Sequence, residues 1–280
     1  NMKASVRAGT SLALLIAALL FGGCSHAQKK TDTPLPFHGM TGCFLLYNLN
    51  SGSYEESIDA GDCRKPLPAC SSFKVPLAVM AFDSGLLQSA STTIKWDGKK
   101  RSRDAENRDH NARTWMSESI VWYSQDIAKR MGRSKLQSYL DALKYGNRDL
   151  DGGPTSAWLV SPASDAPALK ITAYEQVEFM KQLWTDALPV SKRAQKMARD
   201  LTFIETSPSG FRLSGKTGSN FYDAERTRHL GWFIAHLDTG KTRYIIVTNL
   251  SDLTARGHDE YGGMRARELT KKLLALRSLW

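Results

Sequence analysis

Apolar positions along the chain follow two different periods, and the change from one to the other outlines the fold. A short apolar run at 43–47, the turn residues Asn-Ser-Gly at 50–52 and a partner strand at 53–58 predict a β-hairpin. A helical spacing of apolar residues then runs from 71 to 87. Further helical patterns, punctuated by glycine and proline, follow at 124–131, 135–143, 173–185 and 191–199.

After residue 199 the pattern returns to strands, at 211–216, 229–237 and 243–249, and an amphipathic helix follows at 264–279. Strands at both ends with helices between them predict one sheet that is assembled from the two ends of the chain. We expect a single α+β domain over 36–280, with a central antiparallel sheet flanked by terminal helices and an inserted, mostly helical region. The chemistry should lie where the inserted helices meet the sheet edge.

The N-terminal segment has the pattern of a secretory signal. Lys3 and Arg7 precede an uninterrupted apolar stretch at 12–21, which is too short to span a bilayer as a stable helix. We therefore predict a signal peptide over 1–27, a polar tether over 28–35 and export to the bacterial periplasm.

Two cleavage sites compete in this segment. Gly-Gly-Cys at 22–24 resembles a bacterial lipobox, although Phe21 fits its first position poorly, whereas Ser-His-Ala at 25–27 suits ordinary signal peptidase. A lone cysteine directly after the apolar stretch favours lipidation of Cys24 and attachment to a membrane.

Three further cysteines allow at most one intramolecular disulfide in an oxidising compartment. Cys43 and Cys63 would lie on or near adjacent strands, so we expect these two to pair. Cys70 is expected to pack as a small buried hydrophobe. The set lacks the spacing of metal ligands, and we expect no metal.

The overall composition, 41% hydrophobic and 24% charged, is that of an ordinary globular protein. A formal net charge of +10 raises the question of nucleic-acid binding. The basic residues are scattered, however, and the densest run, 99–101, lies beside Asp104, Glu106 and Asp109. We interpret this run as a solvated loop and expect no nucleic-acid partner.

Ser71 and Lys74 form a Ser-x-x-Lys motif at the start of a predicted helix. Residues three apart share a helix face, so the lysine amine can reach the serine hydroxyl. The amine can act as a base if burial lowers its pKa, and the neighbouring residues are apolar enough for that. Taken alone, the pair is better explained by a capping serine and a surface lysine, because two fixed residues recur by chance in many proteins.

Lys216, Thr217 and Gly218 lie near the end of a predicted strand and supply a cation, a hydroxyl and a close approach of the backbone. The segment 210–217 also matches the phosphate-binding P-loop pattern. We reject that interpretation, because a P-loop needs a helix directly after the motif and a strand is predicted there instead.

Ser119 is a second serine that could pass a proton to a leaving nitrogen, or it could cap the following helix. Tyr145, Gly146 and Asn147 read as a turn after a helix.

These motifs together resemble those of the class D, oxacillinase-type, serine β-lactamases. The resemblance rests on Ser-Ser-Phe-Lys-Val-Pro at 71–76, Ser-Ile-Val-Trp-Tyr-Ser-Gln at 119–125, Tyr-Gly-Asn at 145–147 and Lys-Thr-Gly-Ser at 216–219, and it extends from about residue 42 to 280. It implies the β-lactamase/transpeptidase-like fold and a β-lactam substrate.

The resemblance also implies a role for each residue of the motifs. Ser71 would be the acylated nucleophile, and Lys74 would carry carbon dioxide as a carbamate, an N6-carboxylysine that is the general base for acylation and deacylation. Ser119 would relay a proton to the β-lactam nitrogen. The other implied roles are a carbamate pocket at Val121 and Trp158, substrate binding at Lys216, Thr217, Gly218, Ser219 and Arg267, an oxyanion hole from the N–H groups of Ser71 and Ser219, and a structural motif at Tyr145, Gly146 and Asn147.

Alternatives stay open at this point. Arg265 is close enough to Arg267 to take its place in binding the substrate carboxylate. A β-lactam sensor or a penicillin-binding domain would share the motifs but stay acylated without turnover. The sequence allows either a monomer or a dimer.

Overall fold

The computed structural model describes residues 36–257 and 261–280. The predicted signal peptide 1–27 with Cys24 and the tether 28–35 lie outside these residues. The strands are β1 (Met40–Asn48), β2 (Ser53–Ala60), β3 (Leu67–Pro68), β4 (Thr93–Ile94), β5 (His110–Asn111), β6 (Lys170–Ile171), β7 (Phe203–Thr206), β8 (Arg212–Phe221), β9 (His229–Asp238) and β10 (Arg243–Asp252). The helices are α1 (Lys74–Asp83), α2 (Ala112–Ser117), α3 (Val121–Met131), α4 (Arg133–Leu143), α5 (Ala173–Trp184), α6 (Lys192–Leu201) and α7 (Gly262–Ala275). Short 3-10 turns span Cys70–Phe73, Asp104–Glu106 and Ala157–Leu159.

Both ends of the described chain contribute to one six-stranded sheet, with strand order β2-β1-β10-β9-β8-β7. Each neighbouring pair is antiparallel, and the N-terminal strand joins the C-terminal one in a register that sets Met40 opposite Asp252. The predicted antiparallel sheet, built from the two ends around an inserted helical region, is confirmed.

Side chains that alternate along the strands point to opposite faces of the sheet and belong to two separate hydrophobic cores. Phe233 and Ala235 of β9 pack with Leu274 of α7. Trp232 and Ile234 of the same strand belong to the larger core, which α1 and α5 help to form. Within the described residues, α7 is thus the terminal helix on the sheet, and inserted helices cover the opposite face. No helix in the described part of the chain is long and apolar enough to cross a bilayer.

Two elements differ from their predicted form in ways that affect the site. The helix predicted over 71–87 starts as a 3-10 turn, becomes α1 at Lys74 and ends at Asp83. Strand β8 continues past the predicted end to Phe221, because its pairing with β9 runs on to His229. The Lys-Thr-Gly-Ser segment therefore lies inside a strand.

A disulfide joins Cys43 and Cys63, the pairing expected from the sequence, with Cα atoms 4.9 Å apart. It ties β1 to the segment that follows β2. Cys70 is a free, buried cysteine, and burial raises the pKa of its thiol to about 12, so it stays an uncharged core residue.

Candidate active site

Ser71 and Lys74 lie at the junction of the 3-10 turn and α1. The Lys74 Nζ donates a hydrogen bond to Ser71 Oγ at 3.2 Å. Cys70, just before the serine, has a φ of 51°, a left-handed conformation that is uncommon for a residue with a side chain. The tight turn places the serine over the start of the helix, and its side chain lines the main cavity.

Lys74 is 1% exposed, and burial holds its pKa well below the ordinary value. The positive charges of Lys216 and Arg103 lower the pKa further, while Glu106 opposes them. An uncharged amine is a proton acceptor. Lys74 is therefore suited to take the proton of Ser71 at neutral pH.

Ser119 and Lys216 form a second polar pair, in which Lys216 Nζ donates to Ser119 Oγ at 3.0 Å. Ser119 lies between α2 and α3 with a φ of 58° and does not cap the helix, because Ile120 occupies the N-cap position. Burial, followed by the charge of Arg103, lowers the pKa of Lys216 to about 7. The structure thus brings both predicted residues together across 97 positions of sequence.

Strand β8 passes close to the nucleophile turn at Gly218. A Cβ at this position would lie 3.1 Å from Ser72 N and 3.2 Å from Cys70 Cβ, so a larger residue would push the strand and the turn apart by a few tenths of an ångström. Thr217 and Ser219 line the same cavity as Ser71. Ser219 Oγ accepts a hydrogen bond from Gly263 N at 2.9 Å, which fixes the strand to the start of α7.

The predicted carbamate pocket contains a buried hydrogen-bond donor. Trp158 packs on Phe73, the neighbour of Lys74, with ring centroids 4.8 Å apart, and its Nε1 is buried without an acceptor among the residues that the structure describes. Val121 lines the cavity at the start of α3. A carbamate on Lys74 would be an anion that needs donors, so this indole N–H and an uncharged lysine fit it. Among the described residues there is no group of three or more His, Cys, Asp or Glu side chains that could bind a metal ion.

The Tyr-Gly-Asn segment holds the Trp158 loop against α4 and α5. Asn147 Nδ2 donates to Ala168 O, and its Oδ1 accepts from Lys170 N. Tyr145 is buried edge-on against Phe179, with ring centroids 5.3 Å apart. Gly146 has a φ of 52°, and a Cβ there would lie 2.1 Å from Lys170 O. The segment is structural, as the resemblance implies.

A cavity of about 450 Å³ opens over Ser71, and one wall comes from a loop that sequence reasoning missed. Arg103 and Glu106 of this loop line it together with Ser119 and Val121. The interpretation of the charged run around 99–109 as solvated is correct for Lys99 but wrong for Glu106, which is 7% exposed. Its burial depends on contacts with α3, which local sequence does not reveal.

The predicted carboxylate-binding arginine does not reach this cavity. Arg267 forms an ion pair with Glu205 and lines a smaller adjoining space of about 200 Å³ that also borders Lys216 and Thr217. Arg265 is bound to Asp252 by two hydrogen bonds of 2.8 and 2.7 Å. Neither arginine faces Ser71 in this structure.

The chain is similar in sequence and in fold to several known proteins. A family model described as penicillin binding protein transpeptidase domain matches residues 25–275. Beta-lactamase OXA-1 of Escherichia coli is 31% identical over 258 residues, 89% of this chain and 91% of that protein. A solved class D beta-lactamase from Bacillus subtilis has a TM-score of 0.77 at 28% identity, covering 89% of this chain and 97% of that chain.

A sensor-type relative is also similar, over a smaller share of its own length. The methicillin resistance mecR1 protein of Staphylococcus aureus is 28% identical over 276 residues, which are 94% of this chain but 44% of that protein. Beta-lactamase OXA-1 and the solved class D beta-lactamase from Bacillus subtilis are covered over 91% and 97% of their length. The solved C-terminal domain of the Bacillus licheniformis BlaR penicillin-receptor is also similar, with a TM-score of 0.77 at 26% identity. The chain belongs to the penicillin-binding transpeptidase family and, within it, to the class D serine β-lactamases.

Proposed function

We propose that this protein hydrolyses β-lactam antibiotics through an acyl-enzyme formed on Ser71. The observation that carries the proposal is the 3.2 Å hydrogen bond between Lys74 Nζ and Ser71 Oγ, made by a buried lysine whose pKa is strongly lowered. A serine hydroxyl is a weak nucleophile unless a base accepts its proton. Lys74 supplies that base from behind Ser71, which lines a cavity large enough for a drug-sized ligand.

In the acylation step, Lys74 accepts the proton of Ser71 while Ser71 Oγ attacks the β-lactam carbonyl carbon. The negative charge on the carbonyl oxygen would be held by the backbone N–H groups of Ser71 and Ser219. When the carbon–nitrogen bond of the ring breaks, Ser119 donates a proton to the nitrogen. Lys216 then returns a proton to Ser119 through its 3.0 Å hydrogen bond. Lys216 regains a proton from solvent, and Lys74 releases the proton of Ser71, so both lysines recover their starting charge before deacylation. Lys216 and Thr217 would also bind the substrate carboxylate.

The proposal includes carbon dioxide bound to Lys74 as a carbamate. When present, the carbamate supplies a carboxylate-type base for the water that hydrolyses the acyl-enzyme. The buried indole N–H of Trp158 would donate to it, and Val121 would shield it on the cavity side. The same burial that lowers the pKa of Lys74 keeps its amine uncharged, the form that reacts with carbon dioxide.

Export to the periplasm, with lipid attachment at Cys24, completes the proposed function. The support is the basic, apolar and small-residue pattern of 1–27. A β-lactamase in that compartment meets its substrates before they reach their targets.

The test is turnover of nitrocefin or benzylpenicillin by purified protein, measured with and without added bicarbonate. We expect many turnovers per enzyme and a higher rate with bicarbonate. In Trp158→Phe, which keeps an aromatic ring but removes the N–H donor, we expect lower turnover that more bicarbonate partly restores. A single stoichiometric burst in the wild type, followed by no further hydrolysis, would contradict the enzyme and favour the sensor alternative.

A further inference from the structure

Glu106 is a buried carboxylate in the wall of the substrate cavity, and it forms no salt bridge with any residue that the structure describes, although its charge acts on Arg101 and Lys74 from a longer distance. Among the described residues, Val121 is its one hydrogen-bond donor, N–H to Oε1 at 3.4 Å, at the long end of the hydrogen-bond range. The second oxygen, Oε2, accepts no hydrogen bond from the described residues and is not sealed from the cavity. A buried carboxylate is costly unless it is paired, so this oxygen has a strong requirement for a donor.

The position of Glu106 is fixed by its backbone and by its neighbours in the loop. Trp122 Nε1 donates to Glu106 O at 2.9 Å. The ring of His110 bonds to Ala105 O at 2.7 Å and to Thr114 Oγ1 at 3.0 Å. The backbone that carries the side chain is therefore held in place, and the side chain lines the cavity.

The carboxylate lies beside the start of α3, where its Oε1 accepts the hydrogen bond of Val121 N–H. In the proposed function Val121 borders the carbamate of Lys74, and the charge of Glu106 acts against the burial that lowers the pKa of Lys74. In the proposed function, on which this inference rests, the substrate carboxylate goes to the Lys216 side. A penicillin carries its ring carboxylate and its acylamino side chain on opposite sides of the carbonyl that Ser71 attacks. The acyl side chain would then extend toward Glu106.

We propose that Glu106 is a specificity-determining residue that accepts a hydrogen bond from a protonated amino group on the acyl side chain of the substrate. Aminopenicillins and aminocephalosporins are the matching substrate class. Because the carboxylate is buried, it also disfavours side chains that carry a negative charge at the same place.

Three penicillins that differ at a single carbon test this inference: benzylpenicillin has no charge there, ampicillin an ammonium group and carbenicillin a carboxylate. In Glu106→Gln, at pH 7, kcat/KM for ampicillin relative to benzylpenicillin should fall about tenfold, or about 1.4 kcal/mol. In the same variant, kcat/KM for carbenicillin relative to benzylpenicillin should rise. Hydrolysis of benzylpenicillin itself reports whether the variant is folded and competent.

The matched control is Asp104→Asn, which removes an exposed carboxylate from the same turn, outside the cavity lining. It should leave both ratios as in the wild type. If Glu106→Gln changes all three penicillins alike, or changes neither ratio, the inference is overturned.

Failure of the proposed function would be seen separately, as absence of turnover in the wild type. In that case the second-order rate constants of Ser71 acylation by the same three penicillins give the same ratios. The specificity of Glu106 is therefore tested whether or not the acyl-enzyme is hydrolysed.

Discussion

At the scale of single residues, the surroundings of the two lysines in the site determine their pKa values and their different roles. Lys74 and Lys216 are both buried, and burial lowers the pKa of each lysine. The charges of Lys216 and Arg103 lower the pKa of Lys74 further, and the charge of Arg103 adds to the effect on Lys216. In the proposed function the first lysine is the base, and the second is the cation that holds Ser119 and attracts a carboxylate. One pocket can then hold a proton acceptor and a proton donor at the same pH.

The activity should therefore fall on the alkaline side as Lys216 loses its proton. Its pKa of about 7 predicts that kcat/KM declines as the pH rises through this value, since the group is charged below it and neutral above it. In Arg103→Gln the neighbouring positive charge is gone, the pKa of Lys216 rises, and the alkaline limb should move to higher pH. A pH profile of kcat/KM with nitrocefin measures the alkaline limb of the wild type and of the variant. If the alkaline limb of Arg103→Gln stays in place or moves to lower pH, the protonation of Lys216 does not set it.

The sequence motifs were sufficient to predict the two pairs of polar residues that hydrogen-bond in the site. Ser71 with Lys74, and Ser119 with Lys216, meet as expected. The position of Glu106 could not be predicted, because its burial depends on a hydrogen bond from Trp122, sixteen residues away, and not on the local charge pattern.

At the scale of secondary structure, the alternation of apolar residues predicted the sheet better than it predicted the loops. The central strands β9 and β10 are buried on both faces, so their apolar runs are continuous. The edge strand β7 is short and half exposed, and it has no such run to mark it. The ion pair of Arg267 could not be predicted for the same reason, because its partner Glu205 lies on β7.

The Tyr-Gly-Asn segment offers a direct test of how an element positions the site. In Gly146→Ala, the new Cβ would collide with Lys170 O in a left-handed backbone, so we expect a loss of about 3 kcal/mol of unfolding free energy and reduced turnover. Gly240→Ala, also left-handed but with no atom within 4 Å, should lose about 1 kcal/mol and keep its activity. Urea unfolding and nitrocefin turnover measure the two effects. Equal losses in the two variants would refute the packing argument.

At the scale of the whole molecule, the fold depends on contacts between distant parts of the chain. Strand β1 pairs with β10 across two hundred residues, and inserted helices cover the sheet face opposite α7. Composition and periodicity predicted this arrangement because strand patterns occur at both ends. They could not assign which helix covers which face, since that depends on tertiary packing.

The folded state should lose stability in mild acid because of His236. This residue of β9 is 3% exposed and stacks on Trp184 of α5, with ring centroids 3.5 Å apart, and burial lowers its pKa to about 3. Between about pH 6.5 and 3 the unfolded chain binds a proton there that the folded protein does not, so stability is lost as the pH falls through this range.

From pH 7 to pH 5 the wild type should lose about 2 kcal/mol more unfolding free energy than His236→Phe, as urea titrations at the two pH values would measure. His38→Phe, at an exposed position, serves as the control and should behave like the wild type. The same loss in the wild type and in His236→Phe would mean that another group causes the acid sensitivity.

The central claim, that Lys74 serves an acyl-enzyme on Ser71, is tested most directly by intact-protein mass spectrometry of Lys74→Ala mixed with benzylpenicillin. The variant should acylate slowly and then retain an adduct with the mass of the whole penicillin, located on Ser71 by peptide mapping. The wild type should show no lasting adduct under the same conditions, because it hydrolyses the ester. Undiminished turnover by Lys74→Ala, or an adduct on a residue other than Ser71, would contradict the account.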